Sequence, residues 1–181
     1  AAGTAVLENA GGLRLRGSSR ALVGGVTPVE ANYITTDSHF SVDLQSPDNV
    51  IAGNFMGLAV DGVTPLPTAG FQVLSMREAN LIQGNHIANA TSAGIWVEGV
   101  QVNTIRRNAI WANPFKGIYL ENAANNSLPA PGLSLDAAGG SAITCPGCTV
   151  ELFLDETNQR RFYLNSLLAD STAAFSFPSY S

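Results

Sequence analysis

The sequence predicts an all-β chain built on a right-handed parallel β-helix. Three segments, Asn49–Asn54, Asn80–Asn85 and Asn103–Asn108, each carry two asparagines five residues apart with an isoleucine between them. An apolar residue follows two positions after the second asparagine, and a glycine then opens a short alternating strand. Such self-similarity is typical of a solenoid, in which each unit buries its apolar face against the next unit.

Alternation along each strand predicts which of these side chains point inward. Ile51, Asn54 and Met56, with their counterparts in the later units, fall on one face. Stacking the units at about 4.8 Å places like residues above like. We therefore expect an aliphatic core and a ladder of inward asparagines, whose amides bond the turn backbone and one another. The ladder residues are Asn54, Asn85 and Asn108.

Weaker copies of the repeat extend the array toward the N-terminus. Leu13–Arg16 and Ser41–Leu44 have the alternation of the regular strands, and residues 22–34 look like a longer, degenerate unit. The first regular unit is seven residues longer than the next two, which predicts a loop around Asp61. Helices fit poorly, because β-branched and turn residues interrupt every window. We expect about five rungs within a first domain, residues 1–128.

Composition excludes several classes of protein. Charged residues make up 13% of the 181 residues and the net charge is −5, so no basic stripe could neutralise nucleic-acid phosphates. No apolar run is long enough to span a membrane, and no signal-peptide pattern begins the chain. If the protein is exported, we expect that its signal peptide has already been removed.

The segment Asn49–Gly70, reading NVIAGNFMGLAVDGVTPLPTAG, resembles the repeat of bacterial exported proteins with pectate-lyase-like right-handed β-helices. The similarity covers roughly residues 13–128. It implies the fold and a location outside the cell or on its surface. That group contains lyases, epimerases, hydrolases and proteins without known catalysis, so the resemblance does not select an activity.

After residue 128 the asparagine frame stops, and residues 129–181 read as a second unit. Alternating strands separated by turn residues predict a β-sandwich-like segment, and the run from Cys145 to Phe153 is similar to immunoglobulin-like modules. Because four strands are fewer than a full sandwich needs, the segment is either incomplete or a cap on the last rung. Cys145 and Cys148 are predicted to form a structural turn disulfide rather than a redox pair, since no βαβ unit adjoins them.

Outward residues on adjacent rungs define the candidate site. The register places Trp96 beside Tyr119 and Glu98 beside Glu121, with Gln72 and Asp43 extending the aromatic column. Aromatic faces suit the apolar face of a sugar, which predicts carbohydrate binding by Trp96, Tyr119 and Gln72. Two carboxylates about 5 Å apart could hold a cation or act as a retaining glycosidase pair, so Glu98 and Glu121 are the candidate catalytic residues.

A lyase also needs a basic residue to remove a proton, and the basic residues near the regular rungs are Arg106, Arg107 and Lys116. The same register puts Arg106 on the second sheet, away from the two glutamates. His39 and His86 lack metal-type spacing, and we expect both to be solitary surface or turn residues. No metal site and no cofactor are predicted, with Ca²⁺ as the single ion that the outward carboxylates could take.

Two functions remain open at this stage. The first is a non-catalytic extracellular module with a structural, adhesive or filament-forming role, in which Gly3–Leu7 could donate a strand to a neighbouring copy. The alternative is a carbohydrate-binding or polysaccharide-degrading protein, either a lyase or a glycoside hydrolase, that uses the outer face. Expected partners are a surface polysaccharide and further copies of the chain, without nucleic acid or a membrane span.

Overall fold

The computed structural model describes residues 11–37, 39–99, 102–136, 139–155 and 161–178. Its N-terminal part consists of thirteen short strands. In chain order they are β1 Leu13–Leu15, β2 Leu22–Gly24, β3 Tyr33–Ile34, β4 Phe40–Leu44, β5 Val50–Ala52, β6 Phe55–Met56, β7 Phe71–Ser75, β8 Leu81–Gln83, β9 His86–Ala88, β10 Ile95–Val97, β11 Thr104–Arg106, β12 Ala109–Trp111 and β13 Ile118–Leu120. A single 3₁₀ turn, Pro28–Glu30, interrupts the first rung.

These strands form three parallel sheets that confirm the predicted parallel β-helix. The first sheet has the order β1-β4-β7-β10-β13, the second β2-β5-β8-β11 and the third β3-β6-β9-β12. Each rung therefore consists of three consecutive strands, one in each of the three sheets. In the described part of the chain there are four complete rungs, and β13 begins a fifth.

The core follows from the register between rungs. Ile51 pairs with Ile82 and Ile82 with Ile105 in the second sheet, while Met56, Ile87 and Ile110 are aligned in the third. Ile51, Met56, Ile82 and Ile87 have no exposed surface. Burying an aliphatic side chain of this size contributes about 1.5–3 kcal/mol, so these stacks supply much of the stability of the solenoid.

The asparagines form ladders along the corners. The backbone N–H of Asn54 donates to Oδ1 of Asn85 at 2.9 Å, and that of Asn85 donates to Oδ1 of Asn108 at 3.0 Å. The first asparagines of the repeat form a second ladder, which runs through Asn49, Asn80 and Asn103 and ends at Asn125. Because each amide satisfies buried backbone groups of the preceding rung, polar side chains are accommodated in the core.

The C-terminal part contains small antiparallel sheets, as expected of a sandwich-like or capping segment. After a left-handed turn at Ala124–Ser127 come β14 Gly132–Asp136, β15 Gly139–Ile143, β16 Thr149–Asp155, β17 Arg161–Leu168 and β18 Ala174–Pro178. The sequence analysis missed β15, because its Gly-Gly-Ser-Ala run lacks apolar alternation. The boundary at residue 128 and the immunoglobulin-like resemblance stay predictions.

The two sheets of this segment, β14-β15-β18 and β16-β17, enclose a second small core. Phe175 and Ala169 are buried there, with Val150 and Leu152 of β16 packed against them. The other side of the β16-β17 hairpin carries Glu151, whose carboxylate accepts a bond from the backbone N–H of Arg107 in the last rung. The hairpin thus contacts the end of the β-helix.

No helix among the described residues is long and apolar enough to cross a membrane. The candidate donor strand Gly3–Leu7 lies outside the described residues.

Candidate functional site

The candidate site lies on the outer face of the first sheet, where β10 and β13 run in register. This pairing places Trp96 directly beside Tyr119, and their ring centroids are 4.4 Å apart with the planes nearly perpendicular. Ile95 and Val97, which flank Trp96, are fully buried. The alternation of the strand therefore directs the indole outward, as the sequence predicts.

Two phenylalanines that the sequence analysis did not include complete an aromatic cluster. The ring of Phe71 lies 4.6 Å from that of Trp96, and Phe115 lies 5.1 Å from Tyr119. Phe115 is half exposed. We call Phe71, Trp96, Phe115 and Tyr119 the aromatic cluster. The sequence feature that could have indicated Phe115 is its place in the turn immediately before Gly117 and β13. Turn residues have no strand register, however, so its neighbours could not be deduced.

Charged side chains border the aromatic cluster. The indole N–H of Trp96 donates to Oε2 of Glu121 at 3.0 Å, which fixes the orientation of the indole ring. The ammonium of Lys116 lies 5.2 Å from the centre of the Tyr119 ring, within the range of a cation–π contact. Glu98 lies next to Glu121 by continuation of the register and is partly buried. Hydrogen-bond donors and acceptors thus surround an apolar surface.

Gln72 does not belong to this surface, so its predicted place in the aromatic column is wrong. Val73 pairs with Ile95 and Leu74 with Trp96, which shifts β7 by two residues relative to the expected alignment of the glycines. Gln72 is fully buried, accepts a bond from Ser41 and donates to the carbonyl of Ala88. Its amide satisfies interior polar groups and is unavailable to a ligand.

Asp43 keeps its expected column position, beside Leu74, but it is also buried. The guanidinium Nε of Arg14 lies 2.7 Å from Oδ2 of Asp43 and the amide of Gln45 lies 2.8 Å from the same oxygen. At the N-terminal half of the column, the buried Asp43 is therefore occupied by an ion pair with the half-exposed Arg14. The accessible aromatic cluster is confined to the last three strands of the sheet.

The basic residues expected of a lyase are not brought together around the two glutamates. Arg106 lies on β11 in the second sheet, and its guanidinium donates twice to Oε1 of Gln83. Arg107 faces the C-terminal hairpin, with its guanidinium 5.4 Å from the centre of the Tyr163 ring. Of the basic residues considered, Lys116 alone borders the aromatic cluster.

The two histidines lie apart from this cluster, on different parts of the solenoid. His86 is a member of a second aromatic column, on the third sheet, where it stacks on Phe55 at 4.5 Å and Phe55 stacks on Tyr33 at 4.8 Å. It is thus not a solitary residue, contrary to the prediction. His39 is exposed just before β4. Cys145 and Cys148 are joined by a disulfide within a tight turn.

A family model described as periplasmic copper-binding protein (NosD) matches residues 45–176. The chain belongs to the NosD family. The match spans both the later rungs of the β-helix and most of the C-terminal segment. No curated protein and no solved structure matches the chain.

Membership in this family corrects the expectation that the protein has no cofactor, or Ca²⁺ at most, because the family is described as copper-binding. Copper favours imidazole, thiolate and thioether ligands. The NosD-family chain has two cysteines, joined in a disulfide, and two methionines, of which Met56 is enclosed in the core and Met76 is partly buried. Among the described residues no group of three or more His, Cys, Asp or Glu converges. In the part of the chain that the structure describes, the donors do not fit a copper centre.

Proposed function

We propose that this β-helix is a non-catalytic module that works outside the cytoplasm and binds polysaccharide through the aromatic cluster of its first sheet. The observation that carries the proposal is the group of four adjacent aromatic rings on an outer face. Aromatic rings pack against the apolar faces of sugars, and the bordering Glu121 and Lys116 offer an acceptor and a donor to sugar hydroxyls. The family description as periplasmic supports the location, and exposure at the cell surface is part of the proposal.

A non-catalytic role is supported by what surrounds Glu98 and Glu121. One of these carboxylates is engaged by the indole of Trp96, and Arg106 lies on a different sheet. General acid–base catalysis requires the acid and the base within hydrogen-bond reach of one substrate. Incubation with uronate polymers is therefore expected to give no unsaturated product, and appearance of such a product would replace this proposal with a lyase.

The binding proposal is tested by a glycan array followed by calorimetry on the best polysaccharide. Trp96→Ala is expected to weaken binding at least about tenfold, which corresponds to about 1.4 kcal/mol. The matched control is Trp111→Ala, because Trp111 is the other tryptophan and packs in the column of the third sheet. No binding by the wild type, or an equal loss in both variants, would contradict the proposal.

A second candidate is self-association at the N-terminal end of the solenoid. Among the described strands, β1, β2 and β3 are each at the edge of their sheet, and Leu22 on β2 is 62% exposed. An exposed edge with apolar side chains favours pairing with another chain. Sedimentation velocity should then show oligomers of the wild type and monomers of the Leu22→Lys variant. The control variant Val60→Lys, in an exposed loop, should form oligomers as the wild type does. A monomeric wild type at high concentration would rule out this candidate.

A further inference from the structure

A cleft of about 330 Å³ lies between the last rung of the β-helix and the C-terminal hairpin. Its floor consists of the inward isoleucines of the three sheets, Ile105, Ile110 and Ile118, and Phe153 of β16 forms a wall. Ile118 is 43% exposed, although Ile95, its neighbour one rung below, is fully buried. The cleft is therefore the end of the hydrophobic core, and the described residues of the hairpin cover it only in part.

The polar groups at this cleft favour an anion. Arg106 and Arg107 line it together with a single carboxylate, Glu151, among the described residues. Glu151 already accepts the backbone N–H of Arg107. The ladder also ends here: the N–H groups of Asn54 and Asn85 donate to the asparagine of the next rung, whereas that of Asn108 meets no acceptor in the part of the chain described. Such an N–H is a ready donor for a bound acceptor.

We propose that this cleft binds a medium-chain carboxylate, with the hydrocarbon on the isoleucine floor and the carboxylate at the Asn108 N–H and at Arg107. The volume is within the range of small-molecule sites. A small amphiphile such as octanoate is therefore a suitable occupant. This site is separate from the aromatic cluster and does not depend on carbohydrate binding.

Titration calorimetry of the full chain with sodium octanoate, below its micelle-forming concentration, tests the proposal. Each methylene added between butyrate and octanoate should tighten binding about three- to fourfold. Octanol, which has the same chain without the charge, should bind at least about tenfold more weakly than octanoate. Failure of octanoate to bind, or equal binding of octanol, would overturn the proposal.

A cavity-filling variant separates this cleft from nonspecific binding. A Cβ added at Gly117 would meet a single residue within 4 Å among those described, Ile110, with its Cγ2 at 3.4 Å and its Cβ at 3.9 Å, so the Gly117→Leu side chain can extend into the cleft. We expect it to abolish octanoate binding while raising the melting temperature. Gly132→Leu, on a strand of the other C-terminal sheet, is the matched control and should bind as the wild type does. Unchanged affinity in Gly117→Leu would place octanoate elsewhere and refute the proposal.

Discussion

At the scale of single residues, Asn85 shows how one polar side chain serves three rungs. Its Oδ1 accepts both the backbone N–H and the side-chain amide of Asn54, and its Nδ2 donates to the carbonyl of Ile51 and to Asn108. The side chain is fully buried. Loss of this amide would remove the partners of four groups in the interior, so Asn85 is a structural residue.

We expect Asn85→Ala to lower the free energy of unfolding by about 3 kcal/mol, because at least two backbone or amide groups would lose their partners in the core. Urea denaturation followed by circular dichroism measures this change. Asn32→Ala, at the exposed beginning of the same ladder, is the control and should cost about 0.5 kcal/mol. Similar losses of unfolding free energy in the two variants would contradict the idea that the buried hydrogen bonds of Asn85 stabilise the fold.

Two corner glycines allow backbone strain to be separated from steric clash. Gly57 and Gly84 both have positive φ, at 73° and 62°. A Cβ at Gly57 would collide with the carbonyl of Ala88 and the amide of Gln72, whereas a Cβ at Gly84 meets nothing within 4 Å.

Gly84→Ala is expected to cost about 1 kcal/mol, the penalty of the left-handed conformation alone. Gly57→Ala should cost more than about 3 kcal/mol, since the added clash must displace buried groups. Chemical denaturation of the two variants in parallel gives the comparison. If both changes cost the same, the close approach at Gly57 would not be a constraint on this turn.

At the scale of secondary-structure elements, the turn between β17 and β18 is held by one carboxylate. Oδ1 of Asp170 accepts bonds from the Thr172 hydroxyl, the Thr172 N–H and the Ala174 N–H. The Thr172 hydroxyl, followed by the two backbone donors, lowers the pKa of Asp170 from its ordinary value of 3.8.

A lowered pKa in the folded state means that the contribution of Asp170 is present above its unfolded pKa. It is lost as the pH falls through the folded value. Thr172→Val removes the strongest donor, so its melting temperature should lie below that of the wild type at neutral pH and converge with it in acid. Melting curves from about pH 7 to about pH 2 check this. Ser171→Ala is the control, and a constant difference at every pH would contradict the assignment.

At the scale of the whole molecule, the C-terminal hairpin protects the end of the solenoid. Glu151 holds the N–H of Arg107 at 2.6 Å, and the Arg107 guanidinium lies over Tyr163. Arg107 itself has a φ of 52°, at a corner where the aligned residues of earlier rungs are Gly53 and Gly84. A strained residue that bonds another element is maintained by that contact.

Glu151→Ala should therefore loosen the last rung more than the rest. We expect amide hydrogens of residues 104–111 to exchange about fivefold faster, as removal of about 1 kcal/mol of local stability implies. Mass spectrometry of peptides from that segment measures the rate, and residues 50–56 should be unaffected. Glu78→Ala, an exposed glutamate in a turn, is the control. Uniform acceleration along the chain would indicate global destabilisation instead.

The repeat allowed much of the β-helix to be predicted from sequence. The inward positions of Ile51, Asn54 and Met56 and the pairing of Trp96 with Tyr119 follow from strand alternation and equal unit lengths. Gln72 was misplaced because the loop around Asp61 adds residues between rungs, and the alternation within β7 cannot reveal how the longer loop returns the strand to the sheet. The repeat also aligns Phe55 with His86, since each follows the second asparagine of its unit, but the stacking of the imidazole on that ring was not expected.

The sequence by itself thus determined the solenoid, its asparagine ladders and the outward direction of Trp96. Each of these features follows from side-chain alternation within a strand and from a repeat that can be read directly in the amino-acid sequence. The tertiary structure alone decided which turn residues join the surface, as Phe115 does, and where the hairpin contacts the last complete rung, at Arg107. Turns and the C-terminal segment do not repeat, and their positions follow from packing between distant residues that no local period encodes.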